Sequence, residues 1–218
     1  MSRELTQKVK NAKGKTVSQV RWLQRQLNDP FVQEAHRLGY RARSAFKLIQ
    51  LDDRFHFLKP GQKIVDLGAA PGGWSQVALQ RVKGGKLVAF DLSPIDPLPG
   101  AIFFEGDFLD EDAPGRIKEA LNGPADVVLS DMAPLTTGHS ATDHLRIINL
   151  VEAAFLFATE ILNPGGTFVA KVFQGGAEHN LLKEIKLSFA VVRHAKPPAS
   201  RAESAETYLI ASGFRHRS

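Results

Sequence analysis

The chain has 218 residues, a net charge of +5 and no cysteine. Disulfides, zinc thiolates and thiol nucleophiles are thereby excluded, and no run of 18 apolar residues offers a membrane span. A 43% hydrophobic content at this length suits one self-sufficient domain. The charge is segregated. Residues 1–60 hold 13 basic and 5 acidic side chains, residues 61–182 hold 8 and 15, and residues 183–218 hold 7 and 3. Basic ends around an acidic middle suit a polyanion, nucleic acid first among them; the plainer reading is a solubilising tail.

In chain order, residues 1–18 are polar and basic (Arg3, Lys8, Lys10, Lys13, Lys15). With no apolar stretch they predict a disordered arm rather than a secretory signal. Helical spacing then runs from Val20 to Phe57, with Asp29-Pro30 opening a new element and Lys59-Pro60-Gly61 closing the segment. Strand signals follow over Lys63–Leu67, Lys86–Leu92, Ala101–Glu105, Asp126–Ser130, Thr167–Phe173, Val191–Ala195 and Glu206–Ala211. Helical signals fall between most of them, over Trp74–Val82, Pro114–Leu121, Asp143–Leu162 and Glu178–Phe189. Such alternation predicts a mostly parallel sheet covered on both faces. No helix separates the last two strands, which predicts a terminal antiparallel pair. The organisation expected is an arm over 1–18 and a single domain over 19–218, whose first part, 19–60, is a basic helical extension.

The sharpest local feature is Asp66-Leu67-Gly68-Ala69-Ala70-Pro71-Gly72-Gly73-Trp74, a glycine-rich turn between a strand and a helix. Nucleotide-type ligands meet an open α/β sheet at such a turn. The spacing is not G-x-G-x-x-G, and Pro71 removes a donor that a phosphate cradle would use, so a dinucleotide is the weaker reading. Asp91 and Asp107 end the second and third strands. There they can accept from ribose hydroxyls and from an adenine amino group. Taken singly, each is as readily a loop-capping carboxylate. A nucleoside without phosphates, such as S-adenosylmethionine with its sulfonium, suits acidic surroundings.

Asp131 ends the fourth strand in Ser130-Asp131-Met132-Ala133-Pro134. Lys171 lies inside the apolar fifth strand, Phe168–Phe173. An unpaired Lys there would be costly, so it pairs or faces a cleft. The two residues can meet at the carboxyl ends of neighbouring strands. A buried Asp–Lys pair that only supports the fold is the alternative. The His residues show no metal-ligand spacing, and His139 and His144 are expected in the loop before the long helix; no metal is implied.

The sequence resembles the FtsJ/RrmJ (RlmE) family of ribosomal-RNA ribose 2′-O-methyltransferases. The segments that carry the resemblance are Arg41–Leu48, Val65–Gln76, Gly106-Asp107-Phe108, Ser130–Pro134, Val169–Gly175 and Lys196–Arg201, spread from about Arg21 to Ala211. The resemblance implies an α/β, Rossmann-like methyltransferase fold with a mostly parallel seven-stranded sheet. It implies S-adenosylmethionine as methyl donor, with contacts at Gly72, Trp74, Asp91, Asp107 and Asp131. Its Lys-Asp-Lys-Glu catalytic tetrad falls on Lys47, Asp131, Lys171 and Glu206. Just before Glu206, Pro198 and Glu203 depart from the family's pattern. The substrate implied is a uridine ribose in the A-loop of 23S ribosomal RNA within the large subunit. A monomer in the cytoplasm, with no membrane partner, is expected.

In chemical terms, Lys171 is either the base that activates the ribose hydroxyl or a cation that orients it, and Lys47 and Glu206 place the ribose. Arg21, Arg25, Arg37, Arg41, Arg43, Arg193, Lys196 and Arg201 are candidate phosphate contacts, together with the arm. Trp22, Phe31 and Tyr40 are candidate base-stacking rings, although Trp22 and Phe46 lie on apolar helical faces that suit a core. A transfer-RNA or messenger-cap methyltransferase, and a non-catalytic assembly factor with the same fold, are the competing readings.

Overall fold

A computed structural model describes residues 8–9, 12–134, 140–173 and 179–216. Three helices come first: α1 (Val17–Leu27), α2 (Pro30–Leu38) and α3 (Ala45–Phe55). Thr16 caps α1 reciprocally. Its hydroxyl accepts from the Gln19 N–H at 3.2 Å, and its own N–H donates to the Gln19 side chain at 2.9 Å. The helix therefore begins two residues inside the stretch expected as an arm. Asp29 accepts from the Phe31 N–H at 3.0 Å, Pro30 takes the first helical position, and Gly39 (φ 75) ends α2. The helical stretch expected over 20–57 is thus three helices.

The remaining elements are β1 (Lys63–Leu67), α4 (Gly73–Arg81), β2 (Lys86–Asp91), β3 (Ala101–Glu105), α5 (Ala113–Leu121) and β4 (Ala125–Ser130). They are followed by α6 (Ser140–Ile161), β5 (Leu162–Phe173), α7 (His179–Ser188), β6 (Phe189–Ala195) and β7 (Glu206–Phe214). Helix α6 includes His144, which sequence reasoning had put in the preceding loop; His139 lies outside the described residues. Strand β5 takes in Asn163–Gly166, expected as a turn, and a register shift between Ala125 and Val127 of β4 absorbs the irregularity.

The strand order is β3-β2-β1-β4-β5-β7-β6. Strands β1 to β5 are parallel, and β7 runs antiparallel to both β5 and β6, lying between them. The expected antiparallel pair is present, but its last strand is internal to the sheet. Period-two alternation sorts the strands' side chains into two cores. Val65, Leu67, Val88, Phe90, Phe168 and Leu209 face α5, α6 and α7. Ile64, Ala89, Leu129, Val169, Tyr208 and Ile210 face α3 and α4. Lys171 follows Val169 by two and pairs across with Tyr208. Both therefore fall on the face that α3 covers, where Lys47 meets them.

Candidate active site

A cleft of about 290 Å³ opens at the carboxyl ends of β1, β2 and β4. Among the described residues its lining includes three carboxylates, Asp91, Asp107 and Asp131, and no Lys or Arg. Phosphates would find no cation there, whereas a cationic nucleoside would meet favourable charge. Asp91 accepts from the Ala70 N–H at 2.9 Å and the Ser93 N–H at 2.8 Å, tying the glycine turn to the segment after β2. Asp107 is exposed and accepts from the Leu109 N–H at 2.9 Å. Gly68 has φ +73, and a Cβ there would stand 2.7 Å from the Met132 backbone, so the cleft floor admits only glycine.

Gly72 and Trp74, expected as donor contacts, are not among the residues that line this cleft. Gly72 (φ +105) is the N-cap of α4. The buried indole of Trp74 donates to the Ser44 carbonyl at 2.9 Å and stacks against Tyr208 with ring centroids 5.6 Å apart. Its main-chain N–H, in the first turn of α4, is among the donors that the helix itself leaves unpaired.

Sequence reasoning quoted Asp66 within the turn but gave it no role. It is fully buried, accepts from the Ser75 hydroxyl at 2.7 Å through Oδ2, and has no partner on Oδ1. Burial first, helped by the charges of Asp131 and Asp91 and opposed by the Ser75 bond, pushes its carboxyl up to about 7.

Lys47, Asp131, Lys171 and Glu206 come together as one chain beside the cleft. Lys171 Nζ lies 3.1 Å from Asp131 Oδ1 and donates to the Asp131 carbonyl at 2.5 Å. Lys47 Nζ lies 2.6 Å from Glu206 Oε1. Tyr208 joins the two pairs: its hydroxyl lies 2.8 Å from Asp131 Oδ1 and 3.3 Å from Glu206 Oε1, and Lys47 donates to it at 3.3 Å. The Ser200 hydroxyl donates to Glu206 at 2.8 Å. Burial would raise the Glu206 carboxyl, but the Lys47 charge and hydrogen bond, the Ser200 bond and the Lys171 charge together hold it below the usual range. Burial, then the charges of Asp131 and Glu206, push the Tyr208 phenol well above its ordinary value. Tyr208 was missed as a site residue. The available signal was its spacing of two from Glu206, which puts both on one strand face.

The basic candidates divide. Arg21 and Arg25 are exposed on α1, and Arg25 with Arg201 borders the opening onto Lys47 and Glu206. Arg37 is exposed and paired with Glu34 at 2.5 Å. Arg193 is exposed on the edge strand β6. Arg43 is bound internally, to Asp29 at 2.6 Å and the Ala199 carbonyl at 2.5 Å. Arg41 donates to three carbonyls, those of Pro71, Asp96 and Pro97. Lys196 Nζ donates to the carbonyls of Ala202 and Ser204. Phe31 and Tyr40 both pack on Phe46, at centroid distances of 5.5 and 5.8 Å, which gives these two rings a structural role. The side chain of Trp22 lies outside the described residues.

Residues 40–214 match the family described as FtsJ-like methyltransferase. The chain is 67% identical to "Ribosomal RNA large subunit methyltransferase E" of Paramagnetospirillum magneticum, over 98% of this chain and 90% of that one. It is 56% identical to the protein of the same name from Rhizorhabdus wittichii, over 97% and 92% of the two chains. A crystal structure of a chain described as a ribosomal RNA methyltransferase from Plasmodium falciparum superposes with a TM-score of 0.73 at 33% identity, covering 82% of this chain and all of that one. Acidic cleft, paired lysines and sequence agree, and the chain belongs to the FtsJ-like methyltransferase family.

Proposed function

We propose that this methyltransferase moves a methyl group from S-adenosylmethionine to the ribose 2′-oxygen of a uridine in the A-loop of 23S ribosomal RNA, in the large subunit. The observation that carries the reading is the buried chain Lys47–Glu206–Tyr208–Asp131–Lys171 at the lip of a cleft that has carboxylates and no cations. Bound in the cleft, S-adenosylmethionine supplies an electrophilic methyl on a sulfonium sulfur. The cleft fits such a group: Asp91 and Asp107 offer acceptors to the nucleoside, and the Gly68 floor leaves room for close approach.

Lys171 donates an ammonium N–H to the Asp131 carbonyl and is ion-paired with Asp131 Oδ1. A remaining N–H can meet a ribose hydroxyl and hold its oxygen toward the methyl; as the O–CH3 bond forms the S–CH3 bond would break to leave a neutral thioether, and the hydroxyl proton would pass to solvent water. Alignment of that kind contributes roughly 7–11 kcal/mol to a transfer step. Lys47 and Glu206 fix the ribose from the other side, and Tyr208 keeps the two ion pairs in register. Arg21, Arg25, Arg201 and the basic segment 1–18 offer phosphate contacts along the approach. The reading carries with it a monomer acting in the cytoplasm, where a large-subunit substrate would be met.

The test is transfer of labelled methyl to unmethylated large subunits, free ribosomal RNA and transfer RNA, by wild type and Lys171→Ala. A 2′-O-methyluridine in the large subunit, lost in the variant, is expected. Label in transfer RNA alone would overturn the substrate. No label from protein that binds the donor would overturn the activity.

A further inference from the structure

The segment after β2 reads Leu92-Ser93-Pro94-Ile95-Asp96-Pro97-Leu98-Pro99-Gly100. Leu92 and Ser93 wall the cleft. Three prolines remove backbone donors, so this wall cannot be held by a ladder; what it offers is carbonyls. A guanidinium, with five donors in a rigid fork, is the side chain that suits such a surface. Arg41 fills that role. Its Nη1 donates to the Asp96 carbonyl at 2.7 Å and the Pro71 carbonyl at 3.3 Å, and its Nη2 to the Pro97 carbonyl at 2.9 Å. The fork lies on Gly72, where a Cβ would come within 2.7 Å of Nη1 and 3.5 Å of Ile95. The main-chain N–H of Arg41 donates to Gln76 of α4 at 2.8 Å. One residue of the helical extension thus fastens the glycine turn to the cleft wall.

We propose that Arg41 is a positioning residue for the methyl donor rather than a phosphate contact for RNA. Its bonds to the Asp96 and Pro97 carbonyls hold the 92–100 wall in place beside Asp91, and its bond to Pro71 ties that wall to the glycine turn, so the extension that carries Lys47 also sets the shape of the donor site. This rests on the cleft being the S-adenosylmethionine site.

The test measures two affinities for wild type, Arg41→Ala, Arg41→Lys and Arg25→Ala. Donor binding is read by calorimetry with S-adenosylmethionine alone, and RNA binding by titration of unmethylated large subunits at several salt concentrations. Arg41→Ala is expected to weaken donor binding about tenfold or more. Its RNA affinity and salt dependence should stay as in wild type, and the donor KM should rise while kcat at saturating donor is kept. Arg41→Lys is the control against misfolding of the alanine variant. A lysine would restore a phosphate contact but cannot span three carbonyls, so the donor defect should persist. Donor binding at wild-type strength in both variants, with the shallower salt dependence expected of Arg25→Ala, would overturn the proposal. Wild type that binds no S-adenosylmethionine would instead bring down the reading of the cleft itself, a result visible before any variant is compared.

Discussion

Tyr208 has one proton to give and two carboxylates beside it. The shorter contact is to Asp131, at 2.8 Å against 3.3 Å to Glu206, so the hydroxyl donates to Asp131 while accepting from Lys47. With its phenol pushed far up, it remains a donor at every working pH. Tyr208→Phe should lower kcat about tenfold and stability by about 1–3 kcal/mol, while calorimetric binding of the donor is kept. Asp66 gives a pH signature. Its carboxyl, normally at 3.8 unfolded, titrates near 7 in the fold, so the native state holds a proton that the unfolded chain releases. Its contribution to stability therefore falls as pH rises from about 4 to 7 and is level above. Asp66→Asn should flatten that part of the profile in denaturant titrations run across pH. The grouping of Lys47, Asp131, Lys171 and Glu206 was legible because a lysine in an apolar strand is incongruous and the motifs of the resemblance fall on these positions. The internal partners of Arg41 and Arg43 were not legible, because sequence displays a charge but not the carbonyls and carboxylate that hold it.

At the scale of elements, strand and helix alternation located all seven strands, since period-two and helical spacing are local properties. What it could not give was the place of β7, which depends on pairing with β5 across more than thirty residues of intervening chain. The same limit hid how the N-terminal extension is fastened. Asp29 caps α2, pairs with Arg43 at 2.6 Å and lies 3.6 Å from Arg201, joining α2, the start of α3 and the 196–205 segment. Arg43 is already short of one partner, on Nε. Asp29→Ala should therefore cost about 2–4 kcal/mol, well beyond the loss of a cap alone, as measured by the unfolding midpoint in urea. Arg201→Ala, at the longer of the two contacts, should cost much less.

Across the whole molecule, charge separates two tasks. On the proposed function an acidic cleft takes the donor and basic ends take RNA, so ionic strength should act on the second and spare the first. Removing residues 1–15, which leaves the Thr16 cap, deletes Arg3, Lys8, Lys10, Lys13 and Lys15. That truncation should reduce both RNA affinity and its salt dependence, with donor affinity unchanged. The insertion of β7 between β5 and β6 also has a temporal meaning. Lys47 and Tyr208 are 161 residues apart, and the two halves of the chain from Lys47 to Lys171 meet only when this last strand slots in. Until then β5 presents an open edge, and a nascent chain can gather its parallel strands around a donor pocket without being able to act. On the proposed function, competence for methyl transfer waits on β7, and a chain cut before Glu206 should hold the donor's nucleoside contacts yet never turn over.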